Sequence, residues 1–157
     1  MVRVKVIIFD PSKCTGCRLC EIACSVKHDG LSNPLFSRVK ILKRYEEIFV
    51  PARCRQCEDP ICLVACPLGA VIRDKVLGVI KIDYNKCRGC RICVELCPYG
   101  GIYIHPLKRK AVACDLCDGD PQCVRVCSGK ALSYVEEHNI VYKVKREDIF
   151  KFFQREH

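Results

Sequence analysis

The sequence lacks any long apolar run. No stretch approaches the ~18 consecutive apolar residues of a membrane-spanning helix. Residues 1–10 alternate in the manner of a strand, without the apolar segment and small-residue cleavage site of a secretory signal. We therefore expect a chain with no membrane segment of its own, located in the cytoplasm.

The sequence also lacks the motifs of bond-making catalysis. It contains no phosphate-binding loop, no dinucleotide-binding glycine pattern and no Ser–His–Asp order. Its histidines, His28, His105, His138 and His157, are scattered along the chain, so we expect surface or hydrogen-bonded side chains rather than ligands. These observations predict a protein without catalytic residues of its own.

Amide and thioether side chains are scarce. Asparagine and glutamine occur three times each and methionine once, whereas Lys, Arg, Val and Ile are abundant. This composition is typical of hyperthermophile proteins, which is the one setting in which cytosolic disulfides are common.

Cysteine, by contrast, makes up 16 of the 157 residues. In a reducing compartment such cysteines are expected to be metal ligands rather than disulfides. They fall into four runs, each beginning C-x2-C and ending C-x3-C. The runs are Cys14, Cys17, Cys20 and Cys24; Cys54, Cys57, Cys62 and Cys66; Cys87, Cys90, Cys93 and Cys97; and Cys114, Cys117, Cys123 and Cys127.

Run three reads C-x2-C-x2-C-x3-C-P, the spacing of bacterial-type ferredoxins. Three thiolates on one short loop can bind three corners of a [4Fe–4S] cube, and Gly89 permits the tight turn that the loop needs. The fourth cysteine lies on the following helical turn and, in two-cluster ferredoxins, ligates the other cluster. Runs two and four differ, because their middle gaps are widened and end in Asp59-Pro60 and Asp120-Pro121, which can start a helix.

This exchange of the fourth cysteine predicts four ligand sets, each holding one [4Fe–4S] cluster. The predicted sets are Cys14, Cys17 and Cys20 with Cys127; Cys114, Cys117 and Cys123 with Cys24; Cys54, Cys57 and Cys62 with Cys97; and Cys87, Cys90 and Cys93 with Cys66.

The predicted fold is α+β, with two nested bacterial-ferredoxin-like (βαββαβ) modules of short strands and helices around four clusters. Residues 1–157 would form a single domain. Its inner module spans about 47–110, its outer module about 1–30 plus 111–137, and a strand and helix tail about 138–157.

Apolar periodicity and turn residues predict individual elements within these modules. Strands are expected over Val2–Phe9, Val39–Leu42, Ile48–Val50, Ala70–Arg73, Gly78–Ile82, Ile102–His105 and Ala131–Val135, and helices over Arg18–Val26 and Lys145–Arg155. Lys110–Ala113 is expected only to lead into run four.

The formal charge is +9. Because an oxidised cube with four thiolates carries about −2, four clusters would bring the chain close to neutrality. The positive charge is therefore expected to offset the clusters, and no nucleic-acid partner is predicted. Lys13, Lys86, Arg88 and Arg91 flank the loops and are candidates for raising the reduction potentials of the clusters, or are ordinary solvated charges.

Four cysteine runs in this order, with widened gaps in runs two and four, resemble the four-cluster electron-transfer subunits of molybdenum and tungsten pterin oxidoreductases. That group includes the beta subunits of the dimethyl sulfoxide reductase family and the small polyferredoxin subunits of tungsten aldehyde oxidoreductases. The resemblance extends from Lys13 to about Val135. It implies the nested cysteine pairing and single-electron relay to a large catalytic subunit, an aldehyde-oxidising one among the candidates. It also implies an external carrier such as ferredoxin or another subunit.

One departure is that runs one and four end in Cys24-Ser25 and Cys127-Ser128 rather than Cys-Pro. Two other readings remain open: a freestanding polyferredoxin that shuttles electrons between partners, and a zinc-binding nucleic-acid protein. The zinc reading is disfavoured because three cysteines within one seven-residue loop do not match paired C-x2-C ligands.

Overall fold

The structure, a computed structural model, describes residues 5–44 and 48–136. Within them the chain is a small mixed α/β protein with eight short strands and four helices. The helices are α1 Leu19–Asp29, α2 Ile61–Val64, α3 Ile92–Glu95 and α4 Gln122–Arg125. The strands are β1 Lys5–Phe9, β2 Lys40–Arg44, β3 Ile48–Ala52, β4 Val71–Arg73, β5 Ile80–Ile82, β6 Ile102–Ile104, β7 Ala111–Ala113 and β8 Leu132–Glu136.

The strands form four separate antiparallel pairs, β1 with β8, β2 with β3, β4 with β5 and β6 with β7. Ile7 lies opposite Tyr134 in the first pair, so the two ends of the described chain run side by side. Because run one follows β1 and run four precedes β8, this pairing brings the first and last cysteine runs to the same part of the molecule.

Most of the elements predicted from the sequence are confirmed. The helix after run one begins at Leu19, and the hairpins β2–β3 and β4–β5 form where alternating apolar residues flank turn residues. The α1 helix extends to Asp29 and ends at Gly30, which adopts a left-handed conformation (φ 67°) suited to a helix C-terminus.

One strand was missed by the sequence analysis. Residues Ala111–Ala113 form β7, which pairs with β6, although their small side chains carry little strand signal. The turn between them is built by His105, whose buried Nδ1 accepts hydrogen bonds from the amides of Leu107 and Lys108, each at 3.2 Å. The expectation that His105 is a hydrogen-bonded side chain is thereby confirmed.

The predicted module boundaries at residues 47 and 110 both fall inside hairpins, β2–β3 and β6–β7. Among the described strands, β3 and β6 are the first and last strands of the predicted inner module. They pair with β2 and β7, which lie outside that module, and not with each other. The division into inner and outer modules therefore stays a prediction.

The core consists of short aliphatic side chains interleaved with cysteines. Ile80, Ile102 and Leu116 are each 1% exposed, and nine of the sixteen cysteines are buried beside such residues. A chain whose interior is lined with thiols depends for its packing on whatever those thiols bind.

Several predicted features lie outside the described residues: the whole tail over 138–157 with its helix Lys145–Arg155, His138 and His157, and the first residues of the predicted N-terminal strand. No helix within 5–44 and 48–136 is long and apolar enough to cross a membrane.

Candidate iron–sulfur sites

The four C-x2-C loops share one backbone feature: the residue before the second cysteine is left-handed. In runs one and three it is Gly16 (φ 70°) and Gly89 (φ 71°), and in runs two and four it is Gln56 (φ 57°) and Leu116 (φ 58°). The turn predicted at Gly89 is therefore common to all four loops. In runs two and four the strain of a left-handed non-glycine residue must be offset by other contacts.

Each loop leads into a helix that carries the third cysteine at its second residue. In runs one and three a left-handed arginine, Arg18 or Arg91, caps the helix. In runs two and four the helix begins directly after Pro60 or Pro121, so the predicted Asp-Pro helix starts are confirmed. The widened gaps accommodate this second type of helix start.

Four groups of thiols come together, each with cysteines from two runs. We number these sites by the run that supplies three of their cysteines. Site 1 contains Cys14, Cys17, Cys20 and Cys127; site 2 contains Cys54, Cys57, Cys62 and Cys97; site 3 contains Cys66, Cys87, Cys90 and Cys93; site 4 contains Cys24, Cys114, Cys117 and Cys123.

Sites 1 and 3 are cavities that open to solvent. The site 1 cavity is closed on its inner side by Phe9, Ile41 and Leu132, and Cys17 at its edge is exposed. The site 3 cavity has apolar walls of the same kind, and Cys90 is its exposed cysteine. We call sites 1 and 3 the exposed sites.

Site 2 is more enclosed. Burial raises the pKa of Cys54 to about 11, and the nearby thiols of Cys62, Cys57 and Cys97 add to the rise. Gly101 covers this group closely, because a side-chain Cβ at that position would lie 2.6 Å from Cys54 Cα. A residue larger than glycine cannot occupy position 101 without moving the run-two loop.

Site 4 is the most enclosed, and all four of its cysteines are buried. Burial raises the pKa of Cys123 to about 12, and among the neighbouring thiols Cys24 adds most to the rise. Burial also raises the pKa of Cys114 above its usual range. We call sites 2 and 4 the shielded sites.

Backbone amides donate to the sulfur of the fourth cysteine in every run. Three of these bonds share a four-residue offset: Ala70 to Cys66 (3.3 Å), Gly101 to Cys97 (3.3 Å) and Ala131 to Cys127 (3.2 Å). Cys24 differs, because α1 continues past it and the amide of Arg38 donates instead, at 3.2 Å. Such bonds stabilise thiolate sulfur and are one determinant of cluster potentials.

A buried polar network adjoins site 4. His28 Nε2 lies 3.0 Å from Asp115 Oδ1 and its Nδ1 lies 2.8 Å from the carbonyl oxygen of Cys24, while Arg38 pairs with the second oxygen of Asp115. Both ring nitrogens face acceptors, which favours the charged imidazolium. Burial alone would lower the pKa of His28, but the bonds to Asp115 and the cysteine sulfurs outweigh it and raise the pKa to about 12.

The carboxyl of Asp115 shows the converse shift. Burial by itself would raise its pKa, but the hydrogen bond from His28 and the charge of Arg38 hold the pKa of Asp115 below its ordinary value. The expectation that His28 is hydrogen-bonded is confirmed, whereas the buried network around it was missed. The signal in the sequence was the four-residue spacing between Cys24 and His28, which places both side chains on one face of a helix.

The cations that the sequence singled out lie on the surface. Lys13, Lys86, Arg88 and Arg91 are all exposed, and Lys13 pairs with Asp10 at 2.9 Å. The cations that enter the interior are Arg38 and Arg53, which are 9% and 6% exposed. Sequence spacing alone could not distinguish Arg53 from Lys13 and Lys86, because each directly precedes the first cysteine of a run. Arg38 lies 14 residues beyond Cys24, so its position in the sequence did not mark it as a neighbour of a site.

Ferredoxin-type cysteine loops whose thiols converge on shared sites define the class of multicluster iron–sulfur proteins. The donor set fits cubane clusters, since each site offers four thiols together with backbone amides aimed at sulfur. Residues 45–137 match the model of the 4Fe-4S dicluster domain, and residues 7–27 match the 4Fe-4S binding domain. Because the first match covers more than half of the chain, this protein belongs to the 4Fe-4S dicluster family. It holds multiple [4Fe–4S] clusters and serves electron transfer.

Individual relatives agree with this family. The chain is 41% identical to the aliphatic sulfonate oxidoreductase polyferredoxin-like subunit of Pyrococcus furiosus, over 77% of this chain and 70% of that one. It is 40% identical to the NADH-dependent phenylglyoxylate dehydrogenase subunit beta of Aromatoleum evansii, over 92% of this chain but 33% of that longer subunit. Among solved structures, the active site complex BamBC of benzoyl coenzyme A reductase with benzoyl-CoA contains a chain with a TM-score of 0.52 and 26% identity, covering 97% of this chain and 98% of that one.

Proposed function

We propose that this protein is a non-catalytic electron-transfer subunit that holds four [4Fe–4S] clusters, one in each of sites 1 to 4. The supporting observation is the grouping of sixteen thiols into four sets, each drawing three cysteines from one run and one from another. A [4Fe–4S] cluster, when bound, supplies a centre that accepts and releases one electron.

In this proposal the protein's own residues hold, separate and insulate the four centres. The proposed nested arrangement follows from the ligand exchange, since runs two and three share sites 2 and 3, whereas runs one and four share sites 1 and 4. The shielded sites have no exposed cysteine, whereas exposed Cys17 and Cys90 bring the exposed sites to the surface in two cavities that share no lining residue. Electrons would enter and leave the chain at these two surfaces.

The proposed partner is a large catalytic oxidoreductase subunit with a molybdo- or tungstopterin, with a ferredoxin or another subunit as the external carrier. Support comes from the order and spacing of the four runs. It comes also from a relative named as a subunit of an oxidoreductase and from a structural neighbour in an active-site complex. A cytoplasmic location would keep the sixteen free thiols in a reducing compartment.

Co-purification tests the subunit proposal. The chain, tagged at its chromosomal locus and isolated without oxygen, should elute in a fixed ratio with a large subunit, and the complex should contain molybdenum or tungsten by mass spectrometry. Isolation of the chain alone, with its full iron content, would instead support a freestanding polyferredoxin shuttle. A large partner without either metal would retain the subunit role and reject the pterin.

Double variants test the ligand exchange. If Cys97 completes site 2, Cys97→Ala and Cys57→Ala act on one cluster, and the double variant loses no more iron than the more severe single variant. Combining Cys97→Ala with Cys90→Ala should instead remove two clusters, because Cys90 belongs to site 3. The opposite pattern of additivity would reject the exchange.

A further inference from the structure

Arg53 is a buried positive charge without an anionic partner among the described residues. Its side chain is in the interior, with the whole residue 6% exposed. One terminal nitrogen donates to the carbonyl of Cys54 at 3.0 Å, the other donates to the carbonyl of Ile7 in β1, and Nε has no hydrogen-bond partner within the described chain. Two backbone carbonyls satisfy hydrogen bonds but do not neutralise the charge.

The lack of an anionic partner for Arg53 contrasts with the surroundings of Arg38. Arg38 is buried to a similar degree, but it forms an ion pair with Asp115 and donates to the Tyr84 hydroxyl at 3.1 Å. Burying a guanidinium without an opposing charge is costly, and proteins avoid it unless an anion is close. The negative charge that accompanies Arg53 must therefore come from something other than a carboxylate of the described residues.

Arg53 directly precedes Cys54 of site 2 in the chain, and thiols of site 4 also lie near its side chain. Burial lowers the pKa of Arg53, but Cys114 and Cys123 of site 4 and Cys54 of site 2 oppose this by favouring the charged form. The run-two loop, which begins directly after Arg53, is tied to run four by Gln56. Its Nε2 donates to the carbonyl of Cys114 at 2.5 Å, and its Oε1 accepts from the amide of Ile80 at 2.7 Å. Arg53 therefore lies at the start of a loop that joins site 2 to site 4.

We propose that Arg53 is a fixed positive charge shared by sites 2 and 4, and that it raises the reduction potentials of both clusters. This inference rests on the ligand sets given under Proposed function. A bound cluster that received one electron from the proposed catalytic subunit or external carrier would become more negative. Arg53 would stay protonated, so no proton would move. A buried cation nearby stabilises the more negative, reduced form of a cluster. Clusters in sites 2 and 4 would therefore have higher reduction potentials with Arg53 present than without it.

The test is a set of substitutions with matched controls. Arg53→Gln removes the charge, Arg53→Lys keeps it, and Arg55→Gln removes an exposed charge two residues away whose guanidinium lies over the Tyr99 ring. Anaerobic redox titration followed by electron paramagnetic resonance gives the cluster potentials, and iron content is measured on the same samples. Spectra of Cys97→Ala and Cys24→Ala identify the signals of sites 2 and 4.

We expect Arg53→Gln to lower the ratio of reduced to oxidised cluster at a fixed potential by about tenfold at sites 2 and 4, which is about 59 mV for one electron. Arg53→Lys should restore most of the shift, and Arg55→Gln should change the ratio less than twofold because solvent screens an exposed charge. Full iron content with unchanged potentials in Arg53→Gln would overturn the inference.

If Arg53→Gln loses iron, the comparison is made between Arg53→Lys and the same position carrying acetyl-lysine, two long side chains that differ in charge. Equal potentials in that pair would also overturn the inference. If Arg53→Gln instead shifts the potentials of two clusters other than those of sites 2 and 4, the proposed ligand sets are rejected. Iron analysis of the unmodified protein separately tests whether four clusters are present.

Discussion

The exposed sites and the shielded sites are built from the same cysteine motif but differ in the residue at the left-handed position, in how the following helix starts and in the exposure of their cysteines. At sites 1 and 3 a glycine supplies the left-handed turn, an arginine starts the helix, and one cysteine is at the surface. At sites 2 and 4, buried Gln56 and Leu116 occupy the left-handed position and a proline precedes the helix. A single repeat thus provides two kinds of site, one suited to exchange with partners and one suited to conduction through the interior.

The difference has a physical origin in what holds the left-handed residue of each C-x2-C loop. A left-handed residue other than glycine costs roughly 1–2 kcal/mol, so it persists only where packing and hydrogen bonds fix it. Leu116 is 1% exposed, and the Gln56 side chain makes two buried hydrogen bonds. The shielded loops are therefore held through a buried side chain at the left-handed position. The exposed loops use a glycine there, and other segments approach it closely: a Cβ at Gly16 would overlap the Phe49 ring, and one at Gly89 would overlap the carbonyl oxygen of Arg109.

Removal of iron should have the largest effect. Because the core is lined with buried thiols, we expect the cluster-free chain to be largely unfolded, with loss of near-ultraviolet circular dichroism. During anaerobic chelation, iron should leave in two phases, about half of it quickly from the exposed sites and the remainder slowly. A cooperative near-ultraviolet melt of cluster-free protein would contradict the first expectation, and a single phase of release would contradict the second.

Loss of one ligand should separate the two kinds of site. Cys114→Ala, in the fully buried site 4, should abolish stable expression or reduce iron by more than one cluster. Cys17→Ala, at an exposed loop, should alter only the site 1 cluster and leave the fold intact. Iron content, visible absorbance and size-exclusion chromatography of the two variants provide the measurement. Equal damage from the two substitutions would remove the distinction.

A methyl group at Gly101 should disturb site 2. The added Cβ would lie 2.6 Å from the carbonyl carbon of Arg53 and from Cys54 Cα, and backbone atoms cannot yield cheaply. We expect Gly101→Ala to destabilise the holoprotein by about 1–3 kcal/mol and to change the electron paramagnetic resonance signal of site 2.

Gly100→Ala is the matched control, because nothing lies within 4 Å of its Cβ position, although φ is +57°. It should cost only the strain of a left-handed alanine, about 1 kcal/mol, and leave the site 2 signal unchanged. A site 2 signal that is identical in both variants would contradict the close approach of residue 101 to the run-two loop.

Substitution of Gln56 should have the smallest effect on stability. It tests most specifically whether side-chain hydrogen bonds hold a shielded loop. Gln56→Gly relieves the left-handed strain, as in the exposed loops, but leaves the Cys114 carbonyl and the Ile80 amide without their partner. We expect net destabilisation of about 1–2 kcal/mol, since each unsatisfied buried group costs ~1–3 kcal/mol. Gln56→Leu, which keeps the strain and loses the bonds, should be worse. A glycine variant as stable as the parent would show that side-chain bonding does not hold the shielded loop.

The sequence predicted the repeated parts of the molecule well. Cysteine spacing predicted the iron–sulfur clusters, and periodicity with turn residues predicted helix α1, which carries Cys20 and Cys24, and the β2–β3 and β4–β5 hairpins. The exchange of the fourth cysteine between runs stays a prediction. These features are local, so the residues that determine them lie within a few positions of one another.

The features that the sequence did not predict depend on contacts between distant segments. Strand β7 forms because His105 builds the turn before it, and Arg53 becomes buried because β1 and run four pack around it. The flanking cations chosen from the sequence are exposed for the same reason, since spacing along the chain does not reveal which side of a loop is covered. Burial of a charge is a property of the assembled fold.

The most direct test of the account is the stoichiometry of iron and acid-labile sulfide in protein purified without oxygen. Four clusters of four irons in sites 1 to 4 predict about 16 irons and about 16 sulfides per chain. The exposed and shielded sites should contribute equally to that total. Zinc without sulfide, or about eight irons per chain with only half of the sixteen cysteines bound to clusters and the rest free or disulfide-bonded, would contradict it.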